Sequence, residues 1–264
     1  MGLNFSEEIS LAIKASLLAG EKILEIYNSN QFEEELKNDN SPLTKSDRAS
    51  HNIIVKQLSK LGMPILSEEG AEIDYSIRKK WKKFWLIDPL DGTKEFIKKN
   101  GEFTVNIALI ENQIPVLGVV YTPVTKELYF AEKDFGSFKI ESIKKFEELC
   151  VKQTLNLSKS TIPDEYTIVV SRSHLNKETL DFIEVKRQKF KDISTKQYGS
   201  SLKICKVAEG SAHCYPRLGP TMEWDTAAAH AVIKYSGKSL LKFNSKDELI
   251  YNKKSLLNPF FVTE

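Results

Sequence analysis

The chain has 264 residues, 41% of them hydrophobic and 28% charged, with a net charge of +2. That is enough for one large domain, or two closely packed halves, around a sizeable core. The near-neutral balance excludes a partner selected by bulk charge, because a nucleic-acid binder would carry a clearer basic excess or stripe. Ser6 to Tyr27 is predicted as an amphipathic helix, with Ile9, Ile13, Leu17, Gly20, Leu24 and Tyr27 at helical spacing. The polar stretch Asn28 to Asn40 reads as a loop or short strand near the entrance of a site. A second helix spans Ser46 to Leu61, with Ile54, Leu58 and Leu61 on its apolar face. Gly62 and Pro64 stop it.

Pro64-Ile65-Leu66 is a short strand that runs into Ser67-Glu68-Glu69-Gly70. Ile73 to Lys83 is charged and expected to be mostly solvated. Its run Arg78-Lys79-Lys80-Trp81-Lys82-Lys83 reads as a solvated face ahead of a nucleic-acid or membrane contact. Phe84 to Ile87 is a buried strand leading to an acidic turn. Val105–Ile110, Val116–Tyr121 and Glu127–Ala131 form an antiparallel meander. A soft boundary near residue 140 separates an N-terminal α+β half (1–140) from a C-terminal α/β half (141–264). The second half alternates: strand Tyr166–Val170, helix Lys177–Phe190, strand Ile193–Gln197, helix Ser201–Glu209, strand Ala212–Tyr215 and helix Asp225–Tyr235. Alternation of this kind argues for an α/β arrangement.

The most informative stretch is Trp85-Leu86-Ile87-Asp88-Pro89-Leu90-Asp91-Gly92-Thr93. A carboxylate at the end of a buried strand is costly unless it is paired or holds a metal. Hard cations such as Mg²⁺ take oxygen ligands and leave room for a substrate phosphate. The amides of Gly92 and Thr93 are placed to receive a phosphate oxygen. Asp-Pro and Asp-Gly also occur as plain turns, and Glu68-Glu69 alone would be a solvated pair. Two acid-bearing strand ends in one crevice would instead make a ligand site. Asp225 reads as a helix N-cap that still offers an oxygen to a cation. Thr93 is either a helix-start residue or a hydroxyl that orients an attacking water. Asp47 is either a first-turn acid or the acceptor that polarises Thr93. Ser171-Arg172-Ser173-His174 follows a strand and suits a phosphate or nucleotide contact. His51, His213 and His230 show no metal-ligand spacing and are read as structural.

The text of these motifs resembles the magnesium-dependent, lithium-sensitive phosphatase superfamily of inositol monophosphatase. The motifs that carry it are Glu68-Glu69, Asp88-Pro-Leu-Asp-Gly-Thr93 and Trp224-Asp-Thr226. Ser41-Pro-Leu-Thr, Asn100-Gly-Glu-Phe-Thr-Val-Asn, Ser171-Arg-Ser-His, Gly199-Ser-Ser-Leu-Lys and Ala208-Glu-Gly resemble the bacterial CysQ-type 3'(2'),5'-bisphosphate nucleotidases. The resemblance implies a layered α-β-α-β-α sandwich with metals between its halves. It implies metal ligands at Glu68, Asp88, the Leu90 carbonyl, Asp91 and Asp225, and a water-activating pair at Thr93 and Asp47. Substrate contacts would add Gly92, Ser171, His174, Gly199 and Lys203. Ala229 departs from the family's usual glycine.

The expected chemistry is hydrolysis of a phosphate monoester, foremost the 3'-phosphate of adenosine 3',5'-bisphosphate, with two or three Mg²⁺ per site. The resemblance places this in clearing a by-product of sulfate assimilation. Inositol monophosphate and fructose 1,6-bisphosphate stay open as substrates. A non-catalytic nucleotide or anion sensor is the reading from another class, and the intact acidic set argues against it. Three cysteines without C-x-x-C spacing point to a reducing compartment. The start lacks a signal-peptide pattern and no stretch is long enough to span a membrane. A cytoplasmic enzyme acting on a small-molecule ester is therefore expected, with peripheral attachment at the inner face of the membrane left open. The oligomeric state is not legible.

Overall fold

Two long apolar faces of one sheet determine this architecture. The computed structural model describes residues 5–29, 35–36, 42–150, 153–162, 164–173, 175–190 and 192–264. Helix α1 (Glu7–Ser29) is followed by the two-residue strands β1 (Glu35–Leu36) and β2 (Pro42–Leu43), then by α2 (Lys45–Leu58). Thr44 caps α2, accepting from the Ser46 N–H at 3.2 Å. Strand β3 (Ile65–Ser67), the short helix α3 (Tyr75–Arg78), β4 (Lys83–Asp91) and α4 (Thr93–Ile97) come next. The meander continues as β5 (Thr104–Glu111), β6 (Ile114–Thr122), β7 (Glu127–Glu132), β8 (Gly136–Ile140) and β9 (Thr154–Asn156). Strands β3 to β9 form one seven-stranded sheet in chain order, with β3 parallel to β4 and the rest antiparallel.

Beyond it lie β10 (Tyr166–Ser171), α5 (Lys177–Arg187), β11 (Ile193–Tyr198), α6 (Leu202–Ala208), β12 (Tyr215–Arg217), α7 (Glu223–Lys234), β13 (Leu240–Lys242) and β14 (Phe261–Thr263). Strands β10 and β11 pair in parallel, and β12, β14 and β13 make an antiparallel trio. The two groups join where the Val169 N–H donates to the Cys214 carbonyl at 2.8 Å.

Alternate residues of β4 explain the layering. Trp85 and Ile87 pack with Ile9, Ile13 and Ile54 of α1 and α2. Phe84 and Leu86 pack the opposite way, with Val207, Ala228 and Val232 of α6 and α7. Helix α7 lies across β4, β5 and β6, while β10 and β12 pack on α6, and α5 contacts β12. The order is helix pair, large sheet, helix pair, smaller strands, outer helix, as the layered sandwich requires.

Several local expectations need correction. Strand β4 does not end at Ile87. Its ladder with β5 continues to Asp91, with a register shift between Asp88 and Asp91. Pro89 has no N–H to donate, and the extra residue of a bulge absorbs it. The Ile73–Lys83 segment is not simply solvated. It contains α3, Arg78 is buried, and Trp81 packs on the second core cluster. Arg78 is buried because its guanidinium donates to Asn252 Oδ1 at 2.9 Å and to the Lys253 and Lys254 carbonyls at 2.5 and 2.8 Å. The predicted strand Ala212–Tyr215 forms its ladder three residues later, at Tyr215–Arg217. Asp225 is not the N-cap of α7 but its third residue. Asn28 to Asn40 lies largely outside the described residues.

Helix α7 approaches the sheet closely at Gly118 of β6. A Cβ there would stand 2.1 Å from the Ala228 carbonyl oxygen and 2.7 Å from the Ala231 Cβ. Neither neighbour can rotate away. Gly118→Ala is therefore expected to destabilise the fold by at least ~2 kcal/mol, the range of overpacked cores. The urea midpoint of the purified variant checks this, and an unchanged midpoint would show that α7 can shift without cost.

Candidate active site

Pairing geometry brings the first two acids together. Ser67 of β3 is level with Ile87 of β4 in a parallel ladder. The Glu68 N–H donates to the Ile87 carbonyl at 3.2 Å, so the pairing extends one residue past the strand. Glu68 and Asp88 thus emerge side by side. The bulge then turns β4, and the Leu90 N–H donates to Asp88 Oδ1 at 3.1 Å. Ser50 of α2 ties down the same turn by donating to the Pro89 carbonyl at 2.6 Å.

The third acid arrives from the opposite layer. Asp225 sits in the first turn of α7, and its Oδ2 accepts the Met222 N–H at 2.9 Å, a reciprocal cap. Oxygens of Glu68, Asp88 and Asp225 lie within 4.8 Å of one another. Asp91 flanks them. Its Oδ2 accepts the Ser201 N–H at 2.6 Å and Asn106 Nδ2 at 3.3 Å, with the Ser201 hydroxyl oxygen 2.8 Å away.

Crowded carboxylates shift one another. Burial raises the Asp88 carboxyl well above the usual carboxylate range, and Glu68, Asp91 and Asp225 push it further. Asp225 is pushed up to about 8, first by burial, then by Asp91 and Glu68. An all-oxygen cluster whose charges oppose one another fits a hard divalent cation. The residues present therefore fit the metal expected from the sequence.

The predicted water-activating pair also meets. Asp47 is buried in the first turn of α2, where its Oδ2 accepts the Thr44 N–H at 2.8 Å and the Thr44 hydroxyl at 2.6 Å. Its Oδ1 stands 3.1 Å from Thr93 Oγ1, placed to accept that hydroxyl. The Leu90 carbonyl is 3.4 Å from the same hydroxyl. Gly92 makes the turn between them with φ of 96°, a conformation that suits glycine.

Glu68, Asp91, Gly92, Thr93 and Asp225 line a cavity of about 520 Å³ that also has Ser171, Gly199 and Lys203 in its wall. Lys203 is buried and donates to the Ser200 carbonyl at 2.6 Å. Burial lowers its ammonium to about 8, against the attraction of Asp91. His174 lies outside the described residues. Sequence reasoning missed Tyr215, Arg217 and Ser201 in this wall. Arg217 donates to the Pro220 carbonyl at 2.8 Å. No spacing marks it, whereas Ser201 lies inside the motif Gly199-Ser-Ser-Leu-Lys. The histidines sit apart from the cluster: His51 Nδ1 is 2.8 Å from Ser67 Oγ, His213 Nδ1 accepts the Thr167 N–H at 3.0 Å, and His230 Nδ1 is 2.9 Å from the Tyr251 hydroxyl.

Comparison with known proteins places the chain in a family. Residues 4–259 match the model of the inositol monophosphatase family. The chain is 42% identical to the 3'(2'),5'-bisphosphate nucleotidase CysQ of Salmonella typhimurium, covering 92% of this chain and 94% of that one. It is 45% identical to the corresponding Buchnera aphidicola protein, covering 83% and 78%. The crystal structure of CysQ from Bacteroides thetaiotaomicron, a bacterial member of the inositol monophosphatase family, superposes with a TM-score of 0.90 at 45% identity. That match covers 100% of this chain and 98% of the other.

The acid cluster has a consequence for stability. A carboxyl with a raised value binds its proton more tightly folded than unfolded. The contribution of the Asp88 and Asp225 carboxyls to stability is therefore greatest in acid and falls as pH rises from about 4, where unfolded aspartate titrates. The loss is complete once Asp225 titrates at about 8. Calorimetry in chelator should show wild-type protein losing Tm across this window relative to Asp225→Asn. Added Mg²⁺ should raise wild-type Tm more at the alkaline end than at the acid end. Parallel pH profiles for the two proteins would refute the crowding argument.

Proposed function

We propose that this chain, which belongs to the inositol monophosphatase family, hydrolyses the 3'-phosphate of adenosine 3',5'-bisphosphate to give AMP and phosphate. The observation that carries this reading is the convergence of Glu68, Asp88 and Asp225 within 4.8 Å. The Asp47–Thr93 pair stands on the adjoining edge of the same site. The names of the curated relatives support the choice of a bisphosphate nucleotide over an inositol or sugar phosphate.

Glu68, Asp88, Asp91, Asp225 and the Leu90 carbonyl would hold two or three Mg²⁺. When bound, the cations neutralise the ester phosphate and acidify a water molecule. The protein's own contribution is orientation. Thr93 gives its single hydroxyl proton to Asp47, which leaves its oxygen lone pairs to accept from the attacking water. Asp47 is itself fixed by Thr44, so the direction of that acceptance is set before substrate arrives. The Gly92 and Thr93 amides, in the first turn of α4, are the donors assigned to phosphate oxygens. No side chain needs to act as nucleophile: the described cysteines, Cys205 and Cys214, are buried, and burial pushes both thiols up.

Ser171, Gly199 and Lys203, with His174, are assigned to the nucleoside end. The basic groups Lys203 and Arg217 lie in the cavity wall with Asp91 and Asp225. A ligand with two phosphates answers both the acidic and the basic surfaces. In this reading residues 1–140 supply most metal ligands, and residues 141–264 supply Asp225 and the nucleoside contacts. No helix of the described residues is long and apolar enough to cross a membrane. A cytoplasmic role in clearing a by-product of sulfate assimilation fits the proposed substrate.

With Mg²⁺, phosphate release from adenosine 3',5'-bisphosphate should exceed that from inositol 1-phosphate at equal concentration. Asp91→Asn should lose at least about a thousandfold in kcat/KM while keeping the wild-type circular dichroism spectrum. Comparable release from both esters would move the assignment to a broader sugar-phosphate phosphatase. Thr93→Ala should lower kcat about a hundredfold, the usual worth of a positioned proton-transfer group. The Mg²⁺ concentration for half-maximal rate should stay as in wild type. A shift in that concentration at unchanged kcat would place Thr93 on the metal instead.

A further inference from the structure

Ser201 occupies a position that the catalytic reading leaves unused. It precedes α6, is 3% exposed, and stands between two acid-bearing elements from different layers. Its N–H donates to Asp91 Oδ2 at 2.6 Å. Its hydroxyl oxygen is 2.8 Å from Asp91 Oδ2 and 2.6 Å from the Asp225 main-chain carbonyl. Asn106 of β5, 1% exposed, donates Nδ2 to the Ser201 hydroxyl at 2.9 Å and to Asp91 at 3.3 Å.

Counting protons fixes the direction of these bonds. The Asn106 amide faces Asp91 and Ser201 with its NH₂. Its two protons therefore serve Asp91 and Ser201. Asp91 Oδ2 then already has two donors, the Ser201 N–H and the Asn106 amide. The single Ser201 hydroxyl proton is left for the nearer acceptor, the Asp225 carbonyl. Ser201 thus grips the Asp91 side chain through its backbone and the start of α7 through its hydroxyl. Asp91 and Asp225 are 134 positions apart in the chain, and Ser201 with Asn106 bridges the Asp91 carboxylate to the Asp225 backbone.

We propose that Ser201, assisted by Asn106, is a positioning residue that sets the cation affinity of the site shared by Asp91 and Asp225. This rests on the reading of those acids as metal ligands. It adds a residue that acts through Asp91 and the Asp225 backbone. Residues that orient metal ligands typically cost 10–100-fold in affinity when removed.

The test is Mn²⁺ binding to the full chain without substrate, with free Mn²⁺ counted by electron paramagnetic resonance. Ser201→Ala should weaken the tighter site about tenfold. The Mg²⁺ concentration for half-maximal turnover should rise by a similar factor, with kcat at saturating Mg²⁺ near wild type. Asn106→Ser should weaken Mn²⁺ by a smaller factor, and it serves alone if Ser201→Ala does not fold. Ser236→Ala removes a buried hydroxyl bonded to the Ile233 carbonyl at the far end of α7 and should leave Mn²⁺ binding unchanged. Wild-type affinity in Ser201→Ala, or in Asn106→Ser where that variant stands alone, would overturn the proposal. So would an equal loss in Ser236→Ala, which would mark general loosening of α7. A wild-type protein that binds no Mn²⁺ would instead remove the metal reading on which the proposal stands.

Discussion

Mutual repulsion among buried carboxylates is the constraint that the rest of this structure serves. Glu68, Asp88 and Asp225 present oxygens within 4.8 Å of one another. Burial and like charge both oppose ionisation there, as the raised Asp88 and Asp225 carboxyls record. Left to relax, such groups would turn apart toward water. They stay together because each is held close to its backbone by bonds formed at the end of a regular element. The parallel β3–β4 ladder fixes Glu68 beside Asp88, the bulge after Asp88 fixes Leu90 and Asp91, and the first-turn cap fixes Asp225. The cluster is a cost that rigid secondary structure imposes, and a divalent cation bound there would offset it.

Rigidity in turn requires that α7 cannot drift from the large sheet. Gly118 lets its backbone lie almost against β6. Its first residue, Glu223, is fully buried, and its carboxylate accepts the Asn252 N–H at 2.5 Å, the Lys253 N–H at 2.9 Å and the Lys253 ammonium at 2.6 Å. Arg78, from the other side of the cavity in sequence, grips the same 252–254 turn. Burying a carboxylate this completely is tolerated only when its acceptor sites are filled. The start of α7 is therefore anchored by a chain of bonds running back to the segment between β3 and β4, the strands that carry Glu68, Asp88 and Asp91. Both sets of ligands share one frame.

This explains which parts of the protein were legible in its sequence. Helices α1 and α2 showed themselves through apolar spacing, and the meander through apolar runs broken by turn residues, because both signals are local. The acids at strand ends were legible because a charge after an apolar run is a local contradiction. Pro89 obscured the end of β4, since proline argues against a strand interior and a bulge cannot be foreseen from one chain. Strand β9 is only three residues long and largely exposed. It carries no alternation to read. The pairing of Arg78 with Asn252 spans 174 positions and that of Asn106 with Ser201 spans 95. A serine and an asparagine have many bland uses, and only proximity across layers reveals this one.

The charged groups of the cavity wall come from several layers. Glu68, Asp91 and Asp225 stand at the ends of β3 and β4 and the start of α7, and α4 adds Lys94 and Glu95. Lys203 comes from α6 and Arg217 from β12, on the side of the smaller strands. Lys203 is buried and donates to the Ser200 carbonyl, and its ammonium is depressed to about 8. Asp91 and Asp225 pull in the opposite direction and keep that depression from going further. A cation held by the acids weakens this attraction, so metal loading by itself makes the ammonium harder to keep. An anionic ligand arriving beside Lys203 restores the balance. The two ends of the cavity are thus electrostatically interdependent: filling the acidic end with metal raises the demand for negative charge at the basic end. A singly phosphorylated sugar answers the metal and leaves that demand in place, whereas a nucleotide with a second phosphate meets both, which is the physical argument for the proposed substrate.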